Sequence, residues 1–188
     1  MTRRTARAAA ALSSIALVLS VSSSGLAAPP GLALEPKVGY AHALTTGLSP
    51  YGAFVGLGVR ALALEHLWLG TSVTSYSGSR AAGDGAFVTY RARDRAYDLR
   101  FDAGWRFARS RWSLEPGIEV GAAWIVGSTY VTPARITDRY VAGNVGPVLR
   151  TTWRVARIAV GLEAAGLYVP SSAAAPILRV GMFVVLPL

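Results

Sequence analysis

The 188-residue chain is 52% hydrophobic and carries a formal charge of +9, from eighteen arginines and a single lysine set against ten acids. It has no cysteine and two histidines, which excludes disulfides, a lipidated cysteine, thiolate metal sites and an all-imidazole zinc centre. No uninterrupted apolar run approaches the roughly 18 residues of a membrane-spanning helix, so this much apolar surface has to be distributed by alternation along strands.

The first element, residues 1–27, has the three parts of a secretory signal peptide. Arg3, Arg4 and Arg7 form the charged start, Ala8 to Val21 the apolar centre, and Ser22 to Ala27 the small-residue exit. Cleavage before Ala28 removes three arginines and lowers the net charge from +9 to +6. Residues 28–36, which open Ala28-Pro29-Pro30-Gly31, read as a flexible leader.

Residues 37–188 then divide into eight candidate strands: Lys37–Leu44, Tyr51–Leu64, Leu67–Ser77, Ala96–Phe107, Trp112–Val126, Val141–Val155, Ile158–Tyr168 and Ile177–Leu186. Alternation is clearest in the fourth, where Tyr97, Leu99, Phe101, Ala103, Trp105 and Phe107 share one face, opposite Asp98, Arg100, Asp102, Gly104 and Arg106. A period of two with charges on one side is a strand with an apolar and a polar face. The fifth sets Leu114, Ile118, Val120 and Trp124 against Ser113, Glu115 and Glu119; the sixth sets Val145, Leu149 and Trp153 against Asn144, Arg150 and Arg154.

The breaks between strands are short at Glu65-His66, Ala108–Arg111 and Ala156-Arg157, and long at Thr45–Pro50, Gly78–Arg95, Gly127–Tyr140 and Val169–Pro176. Strict alternation of short and long connections, with an even strand number, predicts an all-β, about eight-stranded antiparallel up-and-down transmembrane β-barrel. Aromatic residues collect at both strand ends, as membrane interfaces favour. Trp68, Trp105, Phe107, Trp112 and Trp153 lie near the short turns; Tyr51, Tyr76, Tyr97, Trp124, Tyr140 and Tyr168 lie near the long loops.

An eight-stranded barrel is filled by side chains, so its interior charges must be paired. A tight turn at Ala108–Arg111 places Arg100 opposite Glu119, and one at Ala156-Arg157 places Arg150 opposite Glu163. A two-residue turn at Glu65-His66 would send Trp68 to the lipid face and Leu67 and Leu69 inward, unless a bulge or longer turn resets the parity.

The glycine-spaced segment Gly52-Ala53-Phe54-Val55-Gly56-Leu57-Gly58-Val59-Arg60, followed by Leu67-Trp68-Leu69-Gly70, resembles the paired opening strands of small outer-membrane barrels of the OmpA/OmpX type. The resemblance covers roughly Lys37 to Leu188 and is one of architecture. It implies outer-membrane localisation and insertion by the barrel assembly machinery. The chain departs from the class by closing on Phe183-Val184-Val185-Leu186-Pro187-Leu188 rather than on an aromatic residue.

No cofactor is predicted. Gly56-Leu57-Gly58-Val59-Arg60-Ala61 matches a dinucleotide motif in letters, but a strand rather than a helix follows it. Asp98 with Asp102, and Glu115 with Glu119, are about 13 Å apart along a strand, too far to share a proton. The long loops carry Arg80, Arg91, Arg93, Arg95, Arg135 and Arg139 against Asp84, Asp94 and Asp138. Of these, Arg91, Arg93, Arg95, Arg135 and Arg139 are the candidate contacts to lipopolysaccharide phosphates, which suit bidentate guanidinium groups. The expected role is structural or surface-interacting, with outer-membrane lipid and lipopolysaccharide as partners and no nucleic acid. Two alternatives stand beside it. One is a lipid-modifying barrel enzyme using His42 with Thr45, Ser72, Ser75 or Ser77. The other is a soluble periplasmic lipocalin-like barrel, which would turn its charged faces outward and enclose an apolar cavity.

Overall fold

The computed structural model describes residues 31–44, 49–78, 80–84, 89–131, 134–155, 157–169 and 176–188. The expected signal peptide of residues 1–27, residues 28–30 of the expected leader, and Thr45 lie outside the described residues.

Ten strands follow in chain order: β1 (Ala33–Ala43), β2 (Ala53–Leu62), β3 (Leu67–Tyr76), β4 (Arg80–Asp84), β5 (Thr89–Trp105), β6 (Phe107–Arg109), β7 (Trp112–Val131), β8 (Ala134–Val155), β9 (Ile158–Leu167) and β10 (Ile177–Pro187). Each pairs antiparallel with its neighbours, β1 joins β10, and the β5–β7 pairing closes the ring. β4 runs beside β5 beyond the end of β3, and β6 resumes β5 after Arg106, so the wall itself has eight strands. The start of β1, the end of β10 and the β2–β3, β6–β7 and β8–β9 connections share one end, here the turn end; the β1–β2, β4–β5, β7–β8 and β9–β10 connections share the other, the loop end.

Alternation sorts the side chains as the pleat requires. Asp98, Arg100 and Asp102 are buried inside, while Leu99 and Phe101 between them stand outside with about half their surface bare. The same holds for Glu115 and Glu119 against Leu114, Ile118 and Val120, and for Arg150 against Leu149. An apolar exterior around a charged, filled interior suits lipid rather than water. The lipocalin-like expectation is therefore contradicted, because the face choice is the reverse of what a soluble barrel needs.

Several boundaries and registers differ from the sequence reading. β1 begins at Ala33, four residues earlier than expected, and brings Glu35 into the interior; the leader therefore does not reach residue 36. The turn after β6 is Ser110-Arg111, with Ser110 at φ 57° and Arg109 paired to Trp112. That moves the register by two residues, so Arg100 lies opposite Gly121 and Asp102 opposite Glu119. The β8–β9 turn keeps the expected register, with Arg150 opposite Glu163. Between β2 and β3 the connection is longer than two residues: Leu62 pairs with Trp68, and Ala63 donates its N–H to the Leu67 carbonyl at 2.8 Å. Parity is reset, and Trp68 is wholly buried in the lumen instead of joining the turn-end aromatic belt.

Trp105, Phe107, Trp112 and Trp153 do form that belt, and Tyr97, Trp124 and Tyr168 face outward near the loop end. Tyr51 and Tyr76 do not. They turn inward with Phe54, Ile125, Leu167 and Ile177, an apolar plug that closes the loop end of the lumen. A smaller cluster of Trp68, Val148 and Ala165, with Leu62 against it, lies toward the turn end.

Candidate functional site

Two regions concentrate chemistry: the charged middle of the lumen and the sheet that projects beyond the plug.

Six acids enter the lumen, Glu35, Asp98, Asp102, Glu115, Glu119 and Glu163, and six bases meet them, Lys37, Arg60, Arg100, Arg106, Arg150 and Arg179. Since an uncompensated buried charge is costly, equal numbers are what a closed interior demands. Arg150 touches three carboxylates, pairing with Glu35, with Asp102 at 3.5 Å and with Glu163 at 3.9 Å. Its guanidinium lies 4.1 Å from the Phe183 ring and 5.1 Å from Trp68, which also carries Arg60 at 4.7 Å. Aromatic faces thus supply part of the solvation that water would give these cations. Arg100 pairs with Asp98 and, diagonally across the ladder, with Glu119 at 3.6 Å; it also donates to the Tyr76 hydroxyl at 2.5 Å. Arg179 joins Glu119 at 2.5 Å and Glu163 at 3.3 Å. Arg60 takes one Glu115 oxygen at 2.5 Å and the Ser113 hydroxyl donates to the other at 2.8 Å. Each of these six carboxylates has a cation within ion-pair distance, so the network reads as structural filling.

The sequence reading named Arg100, Glu119, Arg150 and Glu163 here, and the fold brings each pair within reach, the first by a diagonal route. It missed Glu35 because Pro36 and the preceding proline-rich stretch pointed to a leader, and it gave no lumen partner to Lys37 at the start of its first strand. It also gave no role to Arg60 or Arg179.

His42 faces outward on β1 at the loop end. Ser72 is buried on the opposite side of the wall. Ser75 aligns with Val55 and Val38, two strands away and four residues down from His42, which is about 16 Å by strand spacing and rise. Among the described residues nothing completes a serine–histidine–acid arrangement around His42.

The projecting sheet consists of β4, residues 89–96 of β5, residues 125–131 of β7 and residues 134–141 of β8. Of these, the segments within Gly78–Arg95 and Gly127–Tyr140 were expected as loops. Paired residues share a face, so the registers sort them into rows. The row Tyr97–Trp124–Val141 continues the apolar exterior. Next comes Arg95–Val126–Arg139, then Arg80–Arg93–Ser128–Thr137, then Ala82–Arg91–Tyr130–Arg135. All six loop arginines therefore stand on the outward face, while Asp94 and Asp138 fall in a row with Gly127 on the other face.

None of the six arginines makes an ion pair among the described residues. The Arg93 Nε is buried without a hydrogen-bond partner. Partial burial, then the like charges of Arg95 and Arg80, pull the Arg93 guanidinium below its ordinary range, and burial pushes the Asp94 carboxyl up. A groove of about 990 Å³ opens here, lined by Arg80, Arg91, Arg93, Arg135, Ser128 and Tyr130 among others, with no carboxylate in its wall among the described residues.

No protein-family model matches the sequence, and no curated protein does. Solved structures do match. A major outer membrane protein of Thermus thermophilus aligns with a TM-score of 0.59 at 10% identity, over 83% of this chain and 99% of its own. Neisserial surface protein A aligns at 0.56 and 10% identity, over 84% and 96%. Ail, the attachment invasion locus protein of Yersinia pestis, aligns at 0.52 and 8% identity, over 82% and 94%. At such identities the likeness is one of fold, and the fold is that of the small eight-stranded outer-membrane β-barrels.

Proposed function

We propose that this chain is an exported, non-catalytic outer-membrane barrel that holds an arginine-faced sheet against the lipopolysaccharide leaflet. In this reading the barrel assembly machinery inserts it with the turn end in the periplasm. The observation that carries the reading is the sorting of charge on the projecting sheet. Arg91, Arg93, Arg95, Arg135 and Arg139, together with Arg80, share the face that runs on from the lipid-facing aromatic row, and Asp94 and Asp138 are on the other. With strands tilted about 40°, the first arginine row stands roughly 5 Å above the Tyr97–Trp124 row and the next roughly 10 Å above it, within and just beyond the headgroup layer. Guanidinium groups there meet phosphates with paired N–H donors. The filled, fully paired lumen supports a structural rather than a conducting interior.

The test is binding of the refolded protein to lipopolysaccharide micelles. Replacing Arg91, Arg93 and Arg95 together by Ala should weaken it by at least tenfold at low salt and flatten its salt dependence. Unchanged affinity would return these arginines to a solvated surface and remove the reading.

A further inference from the structure

We propose that Arg80 and Arg93 together form a clamp for a phosphomonoester group on the outward face of the projecting sheet. The proposal rests on the reading above, that this face meets an anionic leaflet, and adds which anion it selects.

The two arginines lie directly opposite one another in the β4–β5 ladder. Directly opposed residues have Cβ atoms about 5 Å apart, and like charges in that position destabilise a sheet. Nothing on the described part of this face offsets the repulsion. Arg95 adds a third positive charge one row below, and the neighbour across the next ladder is the neutral Ser128, whose hydroxyl donates to the Arg93 carbonyl at 3.4 Å. The Arg93 Nε lacks a partner, although it is buried. A sequence that breaks a local rule without compensation marks a functional position.

The missing compensation has a definite chemistry. Guanidinium forks carried on directly opposed residues can close on one group between them, each offering it a pair of N–H donors. A phosphomonoester offers three terminal oxygens and a charge of about −1.5 to −2, matching a +2 pair. A phosphodiester offers two such oxygens and a single charge. The groove above the pair, about 990 Å³ and lined by arginines with no carboxylate among the described residues, is open to such a group. Phosphorylated sugars of the leaflet and free phosphate share this chemistry.

The experiment is calorimetric titration of the full chain in zwitterionic micelles at pH 8 with short-chain phosphatidic acid, a monoester, and short-chain phosphatidylglycerol, a diester. Phosphatidic acid should bind on the order of tenfold more tightly, the worth of about one additional charge-assisted contact. The double variant Arg80→Lys, Arg93→Lys keeps both charges but loses the forks, so it should bring phosphatidic acid down to the phosphatidylglycerol level. A preference that came from charge alone would survive that change. Inorganic phosphate that displaces phosphatidic acid at similar concentration would assign the clamp to free phosphate; no displacement would assign it to the lipid headgroup. Equal affinity for the two lipids, or a preference unchanged in the lysine variant, overturns the clamp and leaves the broader reading intact. Binding of neither lipid overturns both.

Discussion

Arg150→Met removes the cation on which three lumen carboxylates converge, and the consequences can be worked out partner by partner. Arg150 is 1% exposed. Glu35 would keep Lys37 at 3.7 Å and Arg60 at 3.4 Å, and Glu163 would keep Lys37 at 3.4 Å and Arg179 at 3.3 Å. Asp102 has no other ion-pair partner among the described residues and would be left alone, 8% exposed. Removing one partner of a buried pair costs about 3–5 kcal/mol, mostly through the charge left behind. Methionine preserves the packing against Phe183 and Trp68, so the loss should be electrostatic in origin. Adding Asp102→Asn to Arg150→Met should then restore roughly 2 kcal/mol, a coupling typical of residues in one network, whereas Asp102→Asn alone leaves Arg150 with two carboxylates and should cost about 1 kcal/mol. The assay is urea unfolding in phospholipid vesicles, followed by tryptophan fluorescence and by heat-dependent gel mobility. Arg150→Met within about 1 kcal/mol of the parent, or a double variant no more stable than the single one, would refute the closed-lumen argument.

Two further pairs of substitutions probe the outside and the packing. Ile118→Arg, on a residue 64% exposed at the middle of the wall, should destabilise by about 2–4 kcal/mol in vesicles, while Ile136→Arg, 57% exposed on the projecting sheet, should be near neutral; equal effects would mean that no lipid belt distinguishes them. Gly161→Ala should lower vesicle unfolding stability by about 1–3 kcal/mol through overpacking, because a Cβ there would stand inside contact distance of the Phe183 ring, and Phe183→Leu in the same chain should relieve much of it, measured against Phe183→Leu alone.

How far the sequence was readable depended on what each stretch had to satisfy. Within the wall, one face meets charge and the other lipid, so Tyr97 to Phe107 writes its strand and its faces plainly. Above the wall both faces meet polar surroundings. Arg91-Ala92-Arg93-Asp94-Arg95 then has no apolar periodicity to report, and the strands there read as loops although they pair fully. Arg91, Arg93 and Arg95 do recur at a period of two along β5, opposite Ala92 and Asp94, and that spacing was the available signal for the projecting sheet. Register failed where turn length was ambiguous. Ser110 adopts a left-handed conformation and shifts Arg100 by two residues relative to β7, and the connection after Leu62 inverts the faces assigned to Trp68 and Leu69. Tyr51 and Tyr76 sit at strand ends like belt aromatics, and only the three-dimensional closure of the loop end explains why they turn inward to form the plug.

The most direct test of the account uses the absence of native cysteine. Single cysteines at Thr137, Val120 and Ser110 sample the projecting sheet, the mid-wall exterior and the turn end, and all three positions are exposed on the isolated chain. In intact Gram-negative cells a membrane-impermeant maleimide should label Thr137→Cys readily and Ser110→Cys only after the outer membrane is permeabilised. Val120→Cys should resist it in both conditions and react only with a lipid-soluble maleimide. Labelling of all three alike, with Val120→Cys as reactive as Thr137→Cys in the absence of detergent, would contradict a lipid-embedded barrel and the arginine-faced sheet built on it.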